Sequence, residues 1–234
     1  ILDAASHDLQ LRGFSRAMVL EHKVADAMAR ETVSGFIASV ASNAPVPGGG
    51  SVAAHVGALA GALAQMVAGL TVGRKKYAAV DEEMRAIADA ADELTTTLAA
   101  LVATDADAYT GVSAAYKLPK ETPAQRAARD AAIQAALMHA AAVPLETARA
   151  AAEVAALAAT CAEKGNTNAA SDAGVAALLA EAACRGAAYN VRINVAAMSD
   201  KDAGAPLAGI ASRLVVAASE SARRATAFVE KQIG

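Results

Sequence analysis

Residues 45–77 read PVPGGGSVAAHVGALAGALAQMVAGLTVGRKKY, and this stretch decides the fold. Two prolines and three glycines at its start end any helix that precedes it. Residues 51–73 then carry no formally charged side chain, and their apolar residues lack the period-2 alternation of a strand. The pattern predicts a helix over 51–73 with Ser51 as its N-cap, followed by the cations Arg74, Lys75 and Lys76.

This charge-free helix has two interpretations, a membrane span and the central helix of a bundle. About 20 residues cross a bilayer core, and Gly57 and Gly61 form the GxxxG pattern of packed membrane helices. Against a span, the run includes the polar residues His55, Gln65 and Thr71, and much of it is alanine and glycine. Since no other segment pairs with it as a second span, we expect a buried bundle helix and no membrane partner.

The remainder of the chain is also helical in character, with proline and glycine between the helices. Of the 234 residues, 55% are hydrophobic and only 3% are aromatic, so we expect a core of small side chains in closely packed helices. The prediction is an all-α, single-domain bundle of long Ala-rich helices that is dimeric, because so apolar a composition favours self-association. The predicted helices cover about 31–42, 51–73, 80–116, 123–142, 144–164, 172–198 and 199–233, with a join at Pro144 and a break near Pro206.

Residues 1–30 are interpreted as a helical N-terminal extension, and residues 31–234 as the functional domain. The first 27 residues lack the basic region and apolar core of a signal peptide, which favours a cytoplasmic location. Cys161 and Cys184 form no CxxC motif, and the four histidines are scattered, so no metal site is expected. The formal net charge of −3 argues against a nucleic-acid partner.

The glycine-rich turn before the charge-free helix has two explanations. A helix N-terminus with free N–H groups can bind a carbonyl, a carboxylate or a phosphate, whereas a tight turn can need glycine torsions alone. The spacing favours neither. The ends of the helix lie roughly 34 Å apart at 1.5 Å per residue. Gly48, Gly49 and Gly50 therefore cannot touch the same small group as Lys75 and Lys76 within one subunit.

A carboxylate occupies an apolar helical stripe in the third predicted helix. Asp105 shares this face, by helical spacing, with Leu98, Leu101, Val102, Tyr109 and Val112. Burial raises the pKa of a carboxyl group, which prepares a general acid or base near neutral pH. The alternative is a buried aspartate that is hydrogen-bonded to Ser, Thr or Asn of another helix, and the stripe alone favours this alternative slightly.

A polar stripe recurs in the helix predicted over 172–198. Asn190 and Asn194 follow helical spacing beside Ala183 and Ala187, which leaves room for a flat ligand or a neighbouring helix. Hydrogen bonding between helices explains the amides equally well. Asp172 can similarly be a first-turn carboxylate that the helix dipole favours.

Three segments occur in order along the chain: PVPGGGS with the later LTVGRKKY, DADAY at 105–109 with KLPKETP after it, and GNTNAASDAGVAALLAEAACRGAAYNVRIN. Together they resemble the cyclodeaminase/cyclohydrolase family of folate metabolism, from about residue 31 to the C-terminus. The resemblance implies an all-α homodimer that binds folate in a cleft, without a permanently bound cofactor. If the glycine-rich turn and the lysines touch one folate, the site lies at or near the subunit interface. It also implies that Asp105 is the catalytic aspartate. Many relatives carry another acidic residue one or two positions earlier, where this chain has Ala103 and Thr104.

The implied activity is hydrolysis of 5,10-methenyltetrahydrofolate to 10-formyltetrahydrofolate, with Asp105 as the general acid and base. This is preferred because no formimidoyltransferase segment accompanies the domain. The alternatives are a 5-formimidoyltetrahydrofolate cyclodeaminase that releases ammonia and, more remotely, a non-catalytic helical dimer that binds folate or a partner. Lysines suit the carboxylates of the glutamate tail, and the other candidates are expected to hold the pterin and the reacting carbon. The full set of predicted substrate-binding residues is Gly48, Gly49, Gly50, Ser51, Lys75, Lys76, Asn166, Asn168, Asp172, Asn190 and Asn194.

Overall fold

The computed structural model describes residues 32–234, so the predicted extension over residues 1–30 lies outside the described residues. The chain divides into two compact units, Ile1–Val46 and Pro47–Gly234. The described part of the first unit contains one helix, α1 (Val33–Val40). The Thr32 hydroxyl caps α1 by accepting a hydrogen bond from the Gly35 N–H at 3.0 Å. The prediction of a helix over about 31–42 is confirmed with shorter ends.

The second unit is an up-and-down bundle of long helices, and the predicted all-α fold is confirmed. Residues 32–234 contain no β-strand. Short connections make successive helices antiparallel neighbours. The long helices are α2 (Gly49–Gly69), α3 (Asp81–Tyr116), α4 (Pro123–Lys164), α5 (Ala170–Ala197) and α6 (Lys201–Ile233), and 3₁₀ helices cover Lys75–Val80 and Thr167–Ala169.

The charge-free helix α2 packs against α3, α4 and α5. Small residues make this close packing possible: a side-chain carbon at Gly57 would lie 3.0 Å from Leu98 Cδ2, and one at Gly61 would lie 2.4 Å from Thr95 Oγ1. By length and composition, α2 is the one described helix that could cross a membrane, and 44% of its most apolar window is buried in the bundle. Its buried inner face agrees with the prediction of a bundle helix.

The ends of α2 differ from the prediction. Ser51 is not the N-cap, because the helix begins at Gly49 and the capping residue Gly48 supplies no side chain. The helix also ends at Gly69, four residues before the predicted end. Gly73 then adopts a φ of +77°, a left-handed conformation that glycine tolerates. Its N–H donates to Asp81 Oδ1 at 2.6 Å, which turns the chain toward α3.

Pro144 does not divide two helices, contrary to the prediction. α4 continues through this proline as one helix of 42 residues. A proline lacks the N–H that would bond the carbonyl four residues earlier, here the carbonyl of Ala140. That buried carbonyl instead accepts a hydrogen bond from Asn194 Nδ2 at 2.8 Å, so a side chain from α5 replaces the missing backbone donor.

Two further helix boundaries were predicted wrongly. α6 continues through Pro206, which is exposed near the start of the helix, where water can satisfy the carbonyl that the proline leaves without a donor. α5 begins at Ala170, two residues before the predicted start. The Asn166 side chain accepts the Asn168 N–H at 3.1 Å and starts a 3₁₀ turn that leads directly into α5.

Candidate active site

Asp105 extends from α3 to the N-terminus of α2. Its Oδ2 accepts a hydrogen bond from the Ser51 hydroxyl at 3.0 Å, and the Ser51 backbone also contributes a hydrogen bond. The first N–H groups of a helix have no partner within the helix, and Gly48 provides no side-chain cap. The carboxylate of Asp105 therefore does from a neighbouring helix what an N-cap side chain does locally.

Gly50 makes room for this carboxylate. A side-chain carbon at this position would lie 2.1 Å from Asp105 Oδ1, which is far inside contact distance. Special torsions do not explain the glycines, because Gly48 has an extended φ of −108° and Gly73 is the only glycine of residues 32–234 with positive φ. Glycine torsions therefore do not explain the PGGGS turn, and at Gly50 the missing side chain makes room for the carboxylate of Asp105.

The pKa of Asp105 is raised above its ordinary value. Burial of the carboxyl group is the largest cause, and the hydrogen bonds from Ser51 oppose it by stabilising the charged form. Both interpretations of the apolar stripe are therefore met: the aspartate is hydrogen-bonded to a serine, and its environment also makes it hold a proton more readily. A half-buried carboxyl with this property can accept and return a proton.

The asparagines of α5 border the same end of α2. Asn190 Nδ2 would lie 3.6 Å from a side-chain carbon on Gly49, and it donates to the Gly186 carbonyl at 2.9 Å. Asn194 Nδ2 donates to the carbonyls of Ala140 and Asn190 at 2.8 and 2.9 Å. The amide nitrogen of Asn194 therefore joins two helices, as the structural alternative predicted.

A second cluster lies at the opposite end of α2. The Asn166 N–H donates to Thr71 Oγ1 at 2.9 Å, and Asn166 Nδ2 donates to the Leu70 carbonyl at 3.2 Å. The Oδ1 of Asn166 also accepts the Asn168 N–H. Asn166 is buried, caps the C-terminus of α2 and directs its side-chain amide into the protein. Asn168 is exposed, and Asp172 is half-buried in the first turn of α5.

Tyr77 and Thr167 belong to this second cluster and were not predicted. The Tyr77 hydroxyl oxygen accepts the Thr167 N–H at 3.0 Å and lies 3.2 Å from Thr167 Oγ1. Lys76 Nζ donates to Thr167 Oγ1 at 3.3 Å and lies 5.1 Å from the centre of the Tyr77 ring. The hydrogen bonds with Thr167 lower the pKa of Tyr77 to about 8. In the sequence, Tyr77 follows the three cations of the RKKY motif, and this position was the one signal that could have indicated its part in the cluster.

The structure therefore places the predicted residues in two clusters within one chain. The Asp105 cluster consists of Gly48, Gly49, Gly50, Ser51, Asp105, Asn190 and Asn194. The basic cluster consists of Lys75, Lys76, Asn166, Asn168 and Asp172. The length of α2 separates the clusters by about 30 Å. The separation of the glycines from the lysines was predicted, whereas the position of Asn166, Asn168 and Asp172 at the same end of α2 as the lysines was not.

The chemistry available at the Asp105 cluster is proton transfer and hydrogen bonding. Both cysteines are buried and free, and burial raises the pKa of Cys161 to about 12 and that of Cys184 to about 11, so both thiols are protonated. Among residues 32–234, no three His, Cys, Asp or Glu side chains form a group that could hold a metal ion.

Residues 32–211 match the model of the formiminotransferase-cyclodeaminase family. The chain is 46% identical over 171 residues to methenyltetrahydrofolate cyclohydrolase from Methylorubrum extorquens. The aligned residues are 73% of this chain and 82% of that protein. It is 37% identical over 187 residues to formimidoyltransferase-cyclodeaminase from Mus musculus, covering 78% of this chain. That alignment spans only 35% of the mouse protein.

The fold is similar to the crystal structure of formiminotetrahydrofolate cyclodeaminase from Thermotoga maritima. The TM-score is 0.79 at 32% identity, and the match covers 88% of this chain and 100% of that one. The resemblance predicted from the three sequence segments is confirmed by the family match and by these relatives. The chain belongs to the formiminotransferase-cyclodeaminase family.

Proposed function

We propose that this protein hydrolyses 5,10-methenyltetrahydrofolate to 10-formyltetrahydrofolate. The observation that carries the proposal is the half-buried carboxyl of Asp105, which has a raised pKa and lies at the N-terminus of α2. The relative with 46% identity is named for this reaction and is covered over 82% of its length. Asp105 is the catalytic residue in this proposal.

The reaction requires one group that accepts a proton and returns it. Water adds to the methenyl carbon, and Asp105 accepts the proton that the water loses. The carbon is then tetrahedral and carries a hydroxyl group. Asp105 returns its proton to N5 as the C–N5 bond breaks, and the hydroxyl loses its proton as the formyl carbonyl forms on N10. The positively charged substrate and water thus give neutral 10-formyl product and one proton.

The N-terminus of α2 supports this chemistry. Backbone N–H groups at a helix start carry partial positive charge and stabilise an oxygen that becomes negative during the reaction. We assign the pterin and the reacting carbon to the region around Gly48, Gly49, Gly50 and Ser51, bordered by the asparagines of α5. Asn194 contributes mainly by holding α5 against α4, because its amide nitrogen is already bonded.

The basic cluster suits the glutamate tail of folate. Lys75 and Lys76 are exposed cations that can pair with tail carboxylates, and Lys76 bonds Thr167, which precedes Asn168 and Asp172 in the chain. Because the length of α2 separates this cluster from Asp105 within one chain, both clusters can serve one folate only across subunits. We therefore propose a homodimer with its sites at or near the subunit interface.

Cyclodeamination is the second candidate function. The structurally similar Thermotoga protein and the mouse relative are both named for it. In that reaction N10 attacks the formimino carbon, ammonia leaves, and Asp105 would carry the proton in the same way. Purified protein should therefore be tested separately with methenyl- and formimidoyl-tetrahydrofolate. Loss of methenyl absorbance indicates hydrolysis, and a gain with ammonia release indicates cyclodeamination. Folate binding without turnover would instead indicate the non-catalytic dimer.

The decisive variant is Asp105→Asn, which keeps the shape of the side chain and removes its proton transfer. We expect turnover to fall by about 10²–10⁴-fold, the usual contribution of general acid–base catalysis. Asp107→Asn is the matched control, because Asp107 lies two residues along the same helix and is exposed. Near-normal turnover by the Asp105→Asn variant would refute the assignment.

We further propose that the enzyme works in the cytoplasm without a permanently bound cofactor or metal and without a nucleic-acid or membrane partner. Proton transfer and hydrogen bonding by the Asp105 cluster are sufficient for the steps above. Dialysis against a chelator should therefore leave turnover unchanged, and the expressed chain should remain in the supernatant after membranes are sedimented. Loss of turnover on chelation would contradict the first statement, and sedimentation with the membranes would contradict the second.

A further inference from the structure

A chain of hydrogen bonds connects three polar side chains beyond the C-terminus of α2. Lys76 Nζ donates to Thr167 Oγ1 at 3.3 Å, and Thr167 Oγ1 lies 3.2 Å from the Tyr77 hydroxyl oxygen. The Tyr77 oxygen also accepts the Thr167 N–H at 3.0 Å. These three residues are named the Tyr77 relay here. Lys76 and Thr167 are exposed and Tyr77 is partly exposed, so a ligand can reach the relay from solvent.

The cation gives the relay a direction. An ammonium group can only donate, so the Thr167 hydroxyl accepts from Lys76 and is polarised to donate its own proton to Tyr77. The Tyr77 oxygen then accepts twice from Thr167, and its own proton points away from this residue. Among residues 32–234, no side chain or carbonyl accepts that proton. Tyr77 therefore presents a hydroxyl donor to solvent beside a cation.

The relay is held in place by the bundle. Asn166 donates from its N–H to Thr71 Oγ1 at 2.9 Å and from its Nδ2 to the Leu70 carbonyl at 3.2 Å. These bonds attach the turn before α5 to the end of α2. The Lys76 ammonium lies 5.1 Å from the centre of the Tyr77 ring, an attractive arrangement of a cation and an aromatic face. Donors that are already ordered lose little conformational freedom when a ligand binds.

The donors of the relay fit a carboxylate. Lys76 uses one of its three N–H groups in the relay and has two left for a ligand. A carboxylate has two oxygens that accept several hydrogen bonds, so one oxygen can accept from Tyr77 and the other from Lys76. Hydrogen bonds of this kind are strong because the acceptor is ionised.

We propose that the Tyr77 hydroxyl, together with Lys76 of the same chain, donates to a carboxylate of the folate glutamate tail. The proposal rests on the proposed function, which assigns the tail to the basic cluster, and it adds tyrosine as a residue that recognises the tail. It also makes this recognition depend on pH. A protonated Tyr77 donates to the carboxylate, whereas an ionised Tyr77 repels it. Since the hydrogen bonds with Thr167 lower the pKa of Tyr77 to about 8, binding of the tail should weaken as the pH rises through this value.

The charged groups around the relay are compatible with this pH dependence. Lys76 is the charged group that acts on Tyr77. The carboxylates at the start of α3 are already bonded, Asp81 to Arg85 and Glu83 to Lys164, so they do not compete with a ligand for Lys76. The other charged residues of the adjoining segments are Arg74, Lys75 and Asp172.

Titration of Tyr77 tests the contact without turnover. Ionised tyrosine has its own ultraviolet absorbance, and the difference between the wild type and Tyr77→Phe isolates the ionisation of Tyr77. Saturating γ-linked pentaglutamate should bind the protonated form and raise the pKa of Tyr77 by about half a unit or more. Sodium chloride at equal ionic strength is the control. An unchanged ionisation, or an equal change with chloride, would overturn the proposal.

Steady-state kinetics test the same contact during the reaction. For Tyr77→Phe, KM for polyglutamylated methenyltetrahydrofolate should rise about tenfold, the effect of losing one hydrogen bond to a charged group. We expect kcat to stay the same, and KM for methenyltetrahydropteroate, which lacks the glutamates, to stay the same as well. The wild-type preference for the polyglutamylated substrate should fall between about pH 7 and about pH 9, and Tyr77→Phe should lack this change.

Tyr116→Phe is the matched control. The Tyr116 ring also faces a cation, with Arg129 at 5.6 Å, but it lies at the far end of α3 from Tyr77. This variant should retain wild-type KM for both substrates. Equal losses of kcat/KM with both substrates in Tyr77→Phe would mean that the tyrosine only supports the two turns, which would overturn the proposal.

The two tests separate this proposal from the proposed function. If the wild type turns over neither methenyl substrate while pentaglutamate still raises the pKa of Tyr77, the relay is supported and the proposed function is wrong. If the wild type turns over methenyltetrahydrofolate and Tyr77→Phe has wild-type KM for the polyglutamylated substrate, the proposed function is supported and the relay is refuted.

Discussion

The carboxyl group of Asp105 is subject to two opposing effects. Burial beside the start of α2 raises its pKa, and the hydrogen bonds from Ser51 lower it. Burial is the larger effect, so the group binds a proton more tightly than an exposed aspartate does. The contact with Ser51 therefore adjusts the pKa of the carboxyl group and also holds its position.

The substitution Ser51→Ala should raise the pKa of Asp105 further, because the lost hydrogen bond stabilised the charged form. If Asp105 starts the reaction as a base, the acidic limb of the kcat/KM–pH profile should move to higher pH. Ser212→Ala is the control, since the Ser212 hydroxyl bonds only the Ala208 carbonyl of its own helix. An acidic limb that stays in place would contradict the assigned role of Ser51.

The substitution Gly50→Ala should displace the carboxyl group of Asp105. The added carbon would lie 2.1 Å from Asp105 Oδ1, so the carboxyl group has to move. We expect kcat/KM to fall at least tenfold and the free energy of unfolding to fall by about 1–3 kcal/mol, as in overpacked cores. Gly111→Ala is the control, because nothing lies within 4 Å of its added carbon. Wild-type kcat/KM for Gly50→Ala would show that the carboxyl position is not critical.

At the scale of the helices, α4 depends on a side chain of α5. Pro144 leaves the buried Ala140 carbonyl without its helical donor, and Asn194 Nδ2 supplies one at 2.8 Å. The same nitrogen also bonds the Asn190 carbonyl of its own helix. Asn194 thus links α4 and α5 beside the Asp105 cluster, which explains why this amide lies within a helix of small residues.

A double-mutant cycle tests the link between α4 and α5. Asn194→Ala should lower the free energy of unfolding by about 1–3 kcal/mol, because it leaves a buried carbonyl without a donor. In a Pro144→Ala background, the new N–H of residue 144 can bond that carbonyl, so the same substitution should cost less. Urea unfolding of the four proteins should give a coupling energy of at least about 0.5 kcal/mol. Additive effects would mean that the carbonyl is satisfied in another way.

At the scale of the whole molecule, the cysteines report on the intact bundle. Cys161 of α4 lies in the core beside α2, where its thiol contacts the Ala64 carbonyl at 3.8 Å. Cys184 of α5 lies in a different core cluster. Burial is the largest cause of the raised pKa of both thiols. Neither thiol can react until the helices separate, so thiol modification measures the opening of the bundle.

We therefore expect both thiols to resist a thiol reagent at pH 8 in the folded protein. A pKa of about 12 in place of 9 lowers the thiolate fraction of Cys161 about a thousandfold, and a pKa of about 11 lowers that of Cys184 about a hundredfold. Both should react at once in denaturant, and the modified fraction should follow the unfolding curve measured by circular dichroism. Rapid modification of one thiol without denaturant would reveal local opening around that helix.

The helices and the unusual position of Asp105 were readable from the sequence, because periodicity and helix propensity are local properties of the chain. Proline was the main source of error. Pro144 was expected to divide a helix, and only the contact of Asn194 with Ala140 shows why the helix continues. The sequence alone contains no information on which side chain of another helix will supply that donor.

The sequence by itself determined that this chain is an all-α bundle with one carboxylate on an apolar face, and its motifs identified the family. The tertiary structure alone decided what each motif touches. It placed Asp105 over the start of α2, with Gly50 as the space it needs, and it placed Asn166 against the end of α2, beside the lysines. The reason is physical: periodicity shows which face of a helix is buried, whereas the partner of that face depends on how all the helices pack together.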